Sequence, residues 1–329
     1  MTLAVQEQQK RARHILCVGA AVLDTLFRVR IMPTGQGKVL PYDMLQIAEG
    51  MASSAAFTVT RLGGKASLWG AVGDDETGGR IVADLAESGI DTRGMRRVAG
   101  ARSAMSTILI DDGGERLIIP FYDPRLHQDV HPLTAADVSA FDAVLVDVRW
   151  PELALQTLLA AGKVGIPAIL DGDVAPDGVI EMLAPAASHI VFSQPAAERL
   201  AGTADPISIV RRLKEHFSHG FVAVTFGERG SYWCDDDSAS IRHLEAPDIT
   251  AVDTLAAGDI FHGAFALSLC EGMAIEDVMR TSSMAAAIKC QRFGGRVGAP
   301  DRRELEAALQ DWPARAIDVI PSSEATQAV

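Results

Sequence analysis

Aromatic residues make up only 5% of this 329-residue chain, yet 48% of it is hydrophobic, so a large core has to be built mainly from aliphatic side chains. Cysteine is also sparse. Cys17, Cys234, Cys270 and Cys290 stand far apart, without the paired spacing of zinc ligands or of a disulfide framework, and read as reduced, buried thiols. Positive charge is in deficit: the formal net charge of −13 excludes the basic face by which proteins hold nucleic acid. No apolar run reaches the length of a membrane span and no apolar leader is visible, so a cytoplasmic protein without membrane contact is expected. Periodic apolar positions are lacking at both ends, which sets the expected folded unit at residues 13–318, with 1–12 and 319–329 as flexible termini.

Within that unit, short apolar runs alternate with helical patterns. Strands are expected at 14–19, 66–70, 143–147, 168–171, 189–192 and 221–225, and helices at 53–62, 78–88, 151–161, 195–201 and 209–216. This alternation builds an α/β domain, a mostly parallel sheet with helices on both faces. Two stretches break the rhythm. Residues 27–47 and 103–122 alternate apolar and polar positions around turns such as Asp112-Gly113-Gly114, as a small half-exposed sheet would.

The richest segment is Asp253-Thr254-Leu255-Ala256-Ala257-Gly258-Asp259, where small residues and an acid open an amphipathic helix. A helix start without bulky side chains can turn several backbone N–H groups on one anion, helped by the helix dipole. A carboxylate on that first turn can take the proton of a hydroxyl attacking phosphorus. An ordinary capped helix, with Asp259 complementing the dipole, fits the same residues equally well.

The segment resembles the second signature of the pfkB, or ribokinase-like, carbohydrate kinases. The resemblance implies a three-layer α/β/α domain with a small β-sheet lid formed by 27–47 and 103–122, which often clasps a second subunit into a homodimer. It also implies ATP and Mg2+ as cofactors, a sugar as the small-molecule partner, Asp259 as catalytic base, and Ala256, Ala257 and Gly258 as the anion hole. On the sugar side, Asp24 beyond the first strand falls where the family holds sugar hydroxyls. Residues 50–64, with Gly50 and Ser54, match the first signature, although Glu49 replaces a Gly and Ser54 an Asn. Residues 71–79 match a scaffold stretch whose acids cap the next helix. Thr225, Gly227 and Gly230 resemble the nucleotide loop, where glycines let the backbone approach phosphates. The helix and loop through Lys289, Gly294 and Gly295 match the adenine side, so Lys289 is expected at the nucleotide. Asp253 and the backbone after Ile288 match the place of a monovalent cation such as K+. Ser193 and Ala196 stand where relatives often organise magnesium, so few direct protein ligands are expected.

Four stretches, around Arg149, Asp171, His262 and Arg296, are similar to bacterial 6-deoxy-6-sulfofructose kinases. That similarity implies an anionic sugar, with Arg149 as a bidentate partner and Lys38 closing from the lid. Pro120 departs from it, offering no side-chain donor. The reading is an ATP-dependent kinase acting on a primary hydroxyl of a ketose or anionic sugar, with fructokinase- or ribokinase-type action on a neutral sugar as the alternative. A non-catalytic sugar or nucleotide sensor on the same fold is the rival of another class. A dehydrogenase is disfavoured because residues 19–24 lack a glycine-rich dinucleotide turn.

Overall fold

A computed structural model describes residues 11–234 and 240–320. The chain runs β1 (His14–Val18), β2 (Val22–Val29), β3 (Asp43–Glu49), α1 (Met51–Arg61), β4 (Lys65–Trp69), β5 (Ala71–Gly73), α2 (Glu76–Glu87), β6 (Arg96–Val98), β7 (Met105–Asp111) and β8 (Arg116–Phe121). It continues α3 (Ala135–Val138), β9 (Ala143–Val146), α4 (Pro151–Val164), β10 (Ala168–Gly172), α5 (Val179–Leu183), β11 (His189–Ser193), α6 (Gln194–Ala201), α7 (Pro206–His216) and β12 (Phe221–Thr225). The last elements are β13 (Ser231–Cys234), β14 (Ile241–Leu244), α8 (Ala257–Cys270), α9 (Ile275–Cys290), α10 (Arg302–Asp311) and β15 (Ile317–Ile320). Every strand and helix expected from the apolar pattern is present, with ends shifted by up to three residues.

Nine strands form the main sheet in the order β15-β14-β13-β12-β11-β10-β9-β1-β4. From β4 to β12 the pairing is parallel, and β13 to β15 add an antiparallel edge. Parallel strands covered on both faces need near-continuous apolar side chains, which is what β9 carries throughout and β1 carries after His14. Alternate residues then feed opposite cores. Leu16, Val144 and Val146 pack with α4 to α7, while Ile15, Ala143 and Leu145 pack with α1, α2, α8, α9 and α10. At the centre of the second core, α8 crosses α1 so closely that a Cβ on Gly263 would lie 2.4 Å from the Ala55 carbonyl. A side chain there would force the helices apart.

The second sheet, β3-β2-β7-β8, is the lid. It begins earlier than expected, because β2 starts at Val22 and so carries Asp24. The tail expected to be flexible from residue 319 also begins inside β15, which pairs with β14; residues 321–329 and 1–10 lie outside the described residues. Asp75 caps α2 as expected, its Oδ1 accepting the Gly78 N–H at 2.7 Å. No disulfide forms, and no described helix is long and apolar enough to cross a membrane.

Candidate active site

Strand order reverses at β1, whose neighbours β4 and β9 carry the chain to opposite sides of the sheet. In open α/β sheets the crevice outside the carboxyl ends at such a point takes ligands. Acids gather there. Asp147 is committed to structure, its Oδ2 accepting the N–H groups of Ala20 (2.8 Å) and Ala52 (3.1 Å) and its Oδ1 that of Arg149 (2.8 Å). Among the described residues Asp171, at the end of β10, has no such backbone donors, and burial, with the Asp173 and Asp147 carboxylates, raises its pKa well above the usual range.

The start of α8 faces this crevice. Ala256 is left-handed, with φ 62°, a conformation costing an L-residue about 1–2 kcal/mol. The surrounding bonds hold it: Leu255 N–H donates to Asp253 Oδ1 (2.8 Å) and Ala257 N–H turns back to the Thr254 carbonyl (3.3 Å). Among the described residues no partner is seen for the N–H groups of Ala256, Gly258 and Asp259. The donor set thus differs by one member from that expected, Asp259's own N–H standing in for that of Ala257. Beside Asp259, burial first and then the Asp171 carboxylate push the carboxyl pKa up to about 8, although the His262 charge pulls it down. Its residue surface stays partly open.

His262 was not singled out as a site residue, though a histidine inside an otherwise apolar helix is a visible signal. Its Nδ1 lies 2.7 Å from the Gly258 carbonyl and its Nε2 3.2 Å from that of Val191, so it ties the first turn of α8 to β11. Thr254, Ala257 and Gly258 line one wall of a cleft of about 810 Å³, and Thr225, Gly227 and Gly230 line another. That volume suits a nucleotide-sized ligand.

On the other side, β2 presents Asp24, 6% exposed, with Ser106 Oγ donating to its Oδ1 at 2.5 Å. Burial raises its pKa to about 6 against the pull of that hydrogen bond. Gly50 opens α1 at φ 116°, and a Cβ there would meet the Ala20 carbonyl at 2.5 Å, so only glycine lets α1 begin against the end of β1. Ser54 corrects the expectation of a sugar contact: it is fully buried and its hydroxyl donates to Glu49 Oε2 at 2.5 Å. Glu49, which stands in place of the family's glycine, is pushed up to about 8 by burial and by the Asp24 carboxylate.

Arg149 follows β9 at the ligand edge, but its guanidinium is already engaged, Nη1 by the Val174 carbonyl (3.0 Å) and Nη2 by Asp173 (3.2 Å). Lys38 sits in the exposed loop between β2 and β3, and nothing among the described residues draws it to the crevice. Two lid residues reach the site without having been anticipated. Arg116 of β8 donates to Thr254 Oγ1 on the loop before α8. Tyr122, just beyond β8, is 44% exposed as a residue, yet burial raises its hydroxyl pKa, and Arg149, Asp24, Asp147 and Asp259 all act on it electrostatically. Tyr122 thus lies within electrostatic reach of both Asp24 and Asp259.

Lys289 is corrected outright. Rather than lining the cleft it is completely buried, with Nζ 2.6 Å from the Asp253 carbonyl and 2.9 Å from Asp253 Oδ2. Spacing along α9 placed the residue but not the direction of its long side chain.

A model of the pfkB family of carbohydrate kinases matches residues 12–302. The ribokinase of Bacillus subtilis is 26% identical over 304 residues, covering 90% of this chain and 99% of that protein. A solved structure from Agrobacterium tumefaciens, provisionally described as a ribokinase, is 60% identical, with a TM-score of 0.90 over 92% of this chain and 98% of the other. Arabidopsis thaliana ribokinase, solved with ribose and ATP, is 22% identical with a TM-score of 0.77, over 91% of this chain and 99% of its own.

Proposed function

The chain belongs to the pfkB family of carbohydrate kinases, phosphotransferases with an alcohol group as acceptor, and on that premise we propose that it moves the γ-phosphoryl group of ATP to a primary hydroxyl of a neutral ketose or pentose. One observation carries the reading: a half-buried carboxyl, Asp259, stands on the first helical turn beside backbone N–H groups with no partner among the described residues. Asp24 accepts sugar hydroxyls through the oxygen that Ser106 leaves open. Asp259 takes the proton of the attacking hydroxyl, and the N–H groups of Ala256, Gly258 and Asp259 meet the charge on the phosphoryl oxygens. The lid, pinned to the 253–259 loop through Arg116, keeps out water that would compete as acceptor.

The anionic acceptor implied by the similarity to sulfofructose kinases has less support, since Arg149 is spent on Asp173 and carboxylates dominate the pocket. Magnesium fits as an ion carried by the nucleotide. Among the described residues no group of three or more His, Cys, Asp or Glu could hold a metal, so phosphates and water would supply most of its ligands. What it supplies is neutralisation of phosphate charge.

The test is ADP release by the purified protein with Mg-ATP over a panel holding ribose, fructose and 6-deoxy-6-sulfofructose. Release on a neutral sugar, and little without sugar, is the expected result. Preference for the sulfonate by orders of magnitude would reassign the acceptor; binding without release on any sugar would leave the sensor reading instead.

We also propose that the outer lid face pairs with a second copy of this chain. Met44, Leu117, Ile119 and Phe121 are 38–58% exposed there, an apolar patch that a monomer would leave in water. Ile119→Lys should shift the sedimenting species from two chains to one, and an unchanged mass in the wild type and variant would refute the pairing.

A further inference from the structure

The environment of Lys289 does not fit the monovalent cation expected beside Asp253. The Asp253 carbonyl and Oδ2, which would be such an ion's ligands, both accept from the Lys289 ammonium, at 2.6 and 2.9 Å. Oδ2 also accepts the N–H groups of Gly294 (3.0 Å) and Gly295 (3.1 Å), and Oδ1 that of Leu255. The Cys290 carbonyl is taken by the N–H groups of Val252 and Asp253. Lys289 and Asp253 have side chains 0% and 1% exposed, so neither charge exists in the fold without the other. Burial pulls the lysine pKa down and Asp253 pushes it back.

We propose that the Lys289 ammonium is a built-in cation, replacing a bound monovalent ion and fixing the 253–259 loop in the conformation that aims its N–H groups at phosphate. An ammonium is close to potassium in size, but it is tethered to the last turn of α9 and cannot be washed out. It grips the Asp253 peptide at its carbonyl while the carboxylate fixes Leu255, and together these support left-handed Ala256. Gly294 and Gly295 join the same carboxylate, and the next N–H, that of Arg296, donates to Glu49 at 2.6 Å. The pair therefore also links the anion-hole loop to the root of the lid. Lys289 acts through Asp253 and touches no reacting atom, which makes it a positioning residue. The inference rests on the kinase reading for its effect on turnover, but not for its effect on the loop.

The wild-type protein should show the same thermal midpoint and, with an active sugar, the same kcat in K+, Na+ or choline salts of equal ionic strength. Lys289→Ala should lower the midpoint and cut kcat by about 10²-fold through loop misplacement, with KM for the sugar changing far less. Adding K+ or ammonium, but not choline, should then raise both midpoint and kcat in a saturable way. A wild type whose midpoint climbs in K+ over choline would overturn the proposal, as would a Lys289→Ala variant indifferent to small cations. Should that variant fail to fold, the wild-type melts alone decide. They need no turnover, so failure of the kinase reading, with no ADP released on any sugar, remains separable.

Discussion

Asp259→Asn will abolish most turnover, by about 10³-fold or more, while ADP and sugar still bind, because an amide keeps the shape but cannot accept the hydroxyl proton. The free enzyme's carboxyl has its pKa pushed up to about 8, so wild-type kcat/KM should rise with pH up to that value and level off, whereas the residual activity of the variant should be flat there. A stability signature accompanies it. Folded Asp259 keeps its proton to about pH 8 but gives it up in the ordinary carboxylate range, about pH 4, when unfolded. Its contribution to folding is thus fully present below pH 4 and lost as pH rises toward 8. The Asn variant should therefore gain in stability over wild type as pH rises from 5 to 8. Melts at the two pH values and steady-state kinetics check both statements; wild-type-like turnover in the variant would sink the assignment.

Asp24→Ala will raise KM for the sugar roughly 10²- to 10³-fold, since charge-assisted hydrogen bonds to hydroxyls are each worth about 1.5–3 kcal/mol. The nucleotide should not notice. Asp24 lies on β2 and does not line the cleft formed by Thr225, Gly227 and Gly230, so KM for ATP should stay within about twofold, as expected for an independent site. Its pKa of about 6 adds a second check: below that pH the carboxyl is protonated and the wild-type sugar KM should climb, a trend absent from the Ala variant. An unaltered sugar KM, or an effect confined to ATP, would remove Asp24 from the sugar site.

Much of the architecture was legible from local pattern. The parallel strands are runs of buried aliphatics, the helices between them have one apolar face, and the alternating lid segments are half-exposed, so each segment carries its own environment in its spelling. The antiparallel edge was harder to read, since β13 to β15 are four residues each and short apolar runs fit several structures. At the site, Asp259, Thr225 and Gly227 stand at or next to strand or helix ends, where position along the chain nearly fixes position in space. The partners of polar side chains escaped the reading. Ser54 turned to Glu49, Arg149 to Asp173, and Lys289 to Asp253, because each found a charge or hydroxyl from another element.

The sequence by itself determined the order of the layers and the opening of α8 by small residues and an acid, since apolar periodicity and the absence of bulky side chains act within a few residues. Only the tertiary structure decided which charges are spent on one another. Lys289 meets Asp253 from 36 positions away and the Arg296 guanidinium meets Asp84 from 212. A buried charge must find its partner wherever the fold places one, at a cost of several kcal/mol if it fails, and no local spacing records that choice.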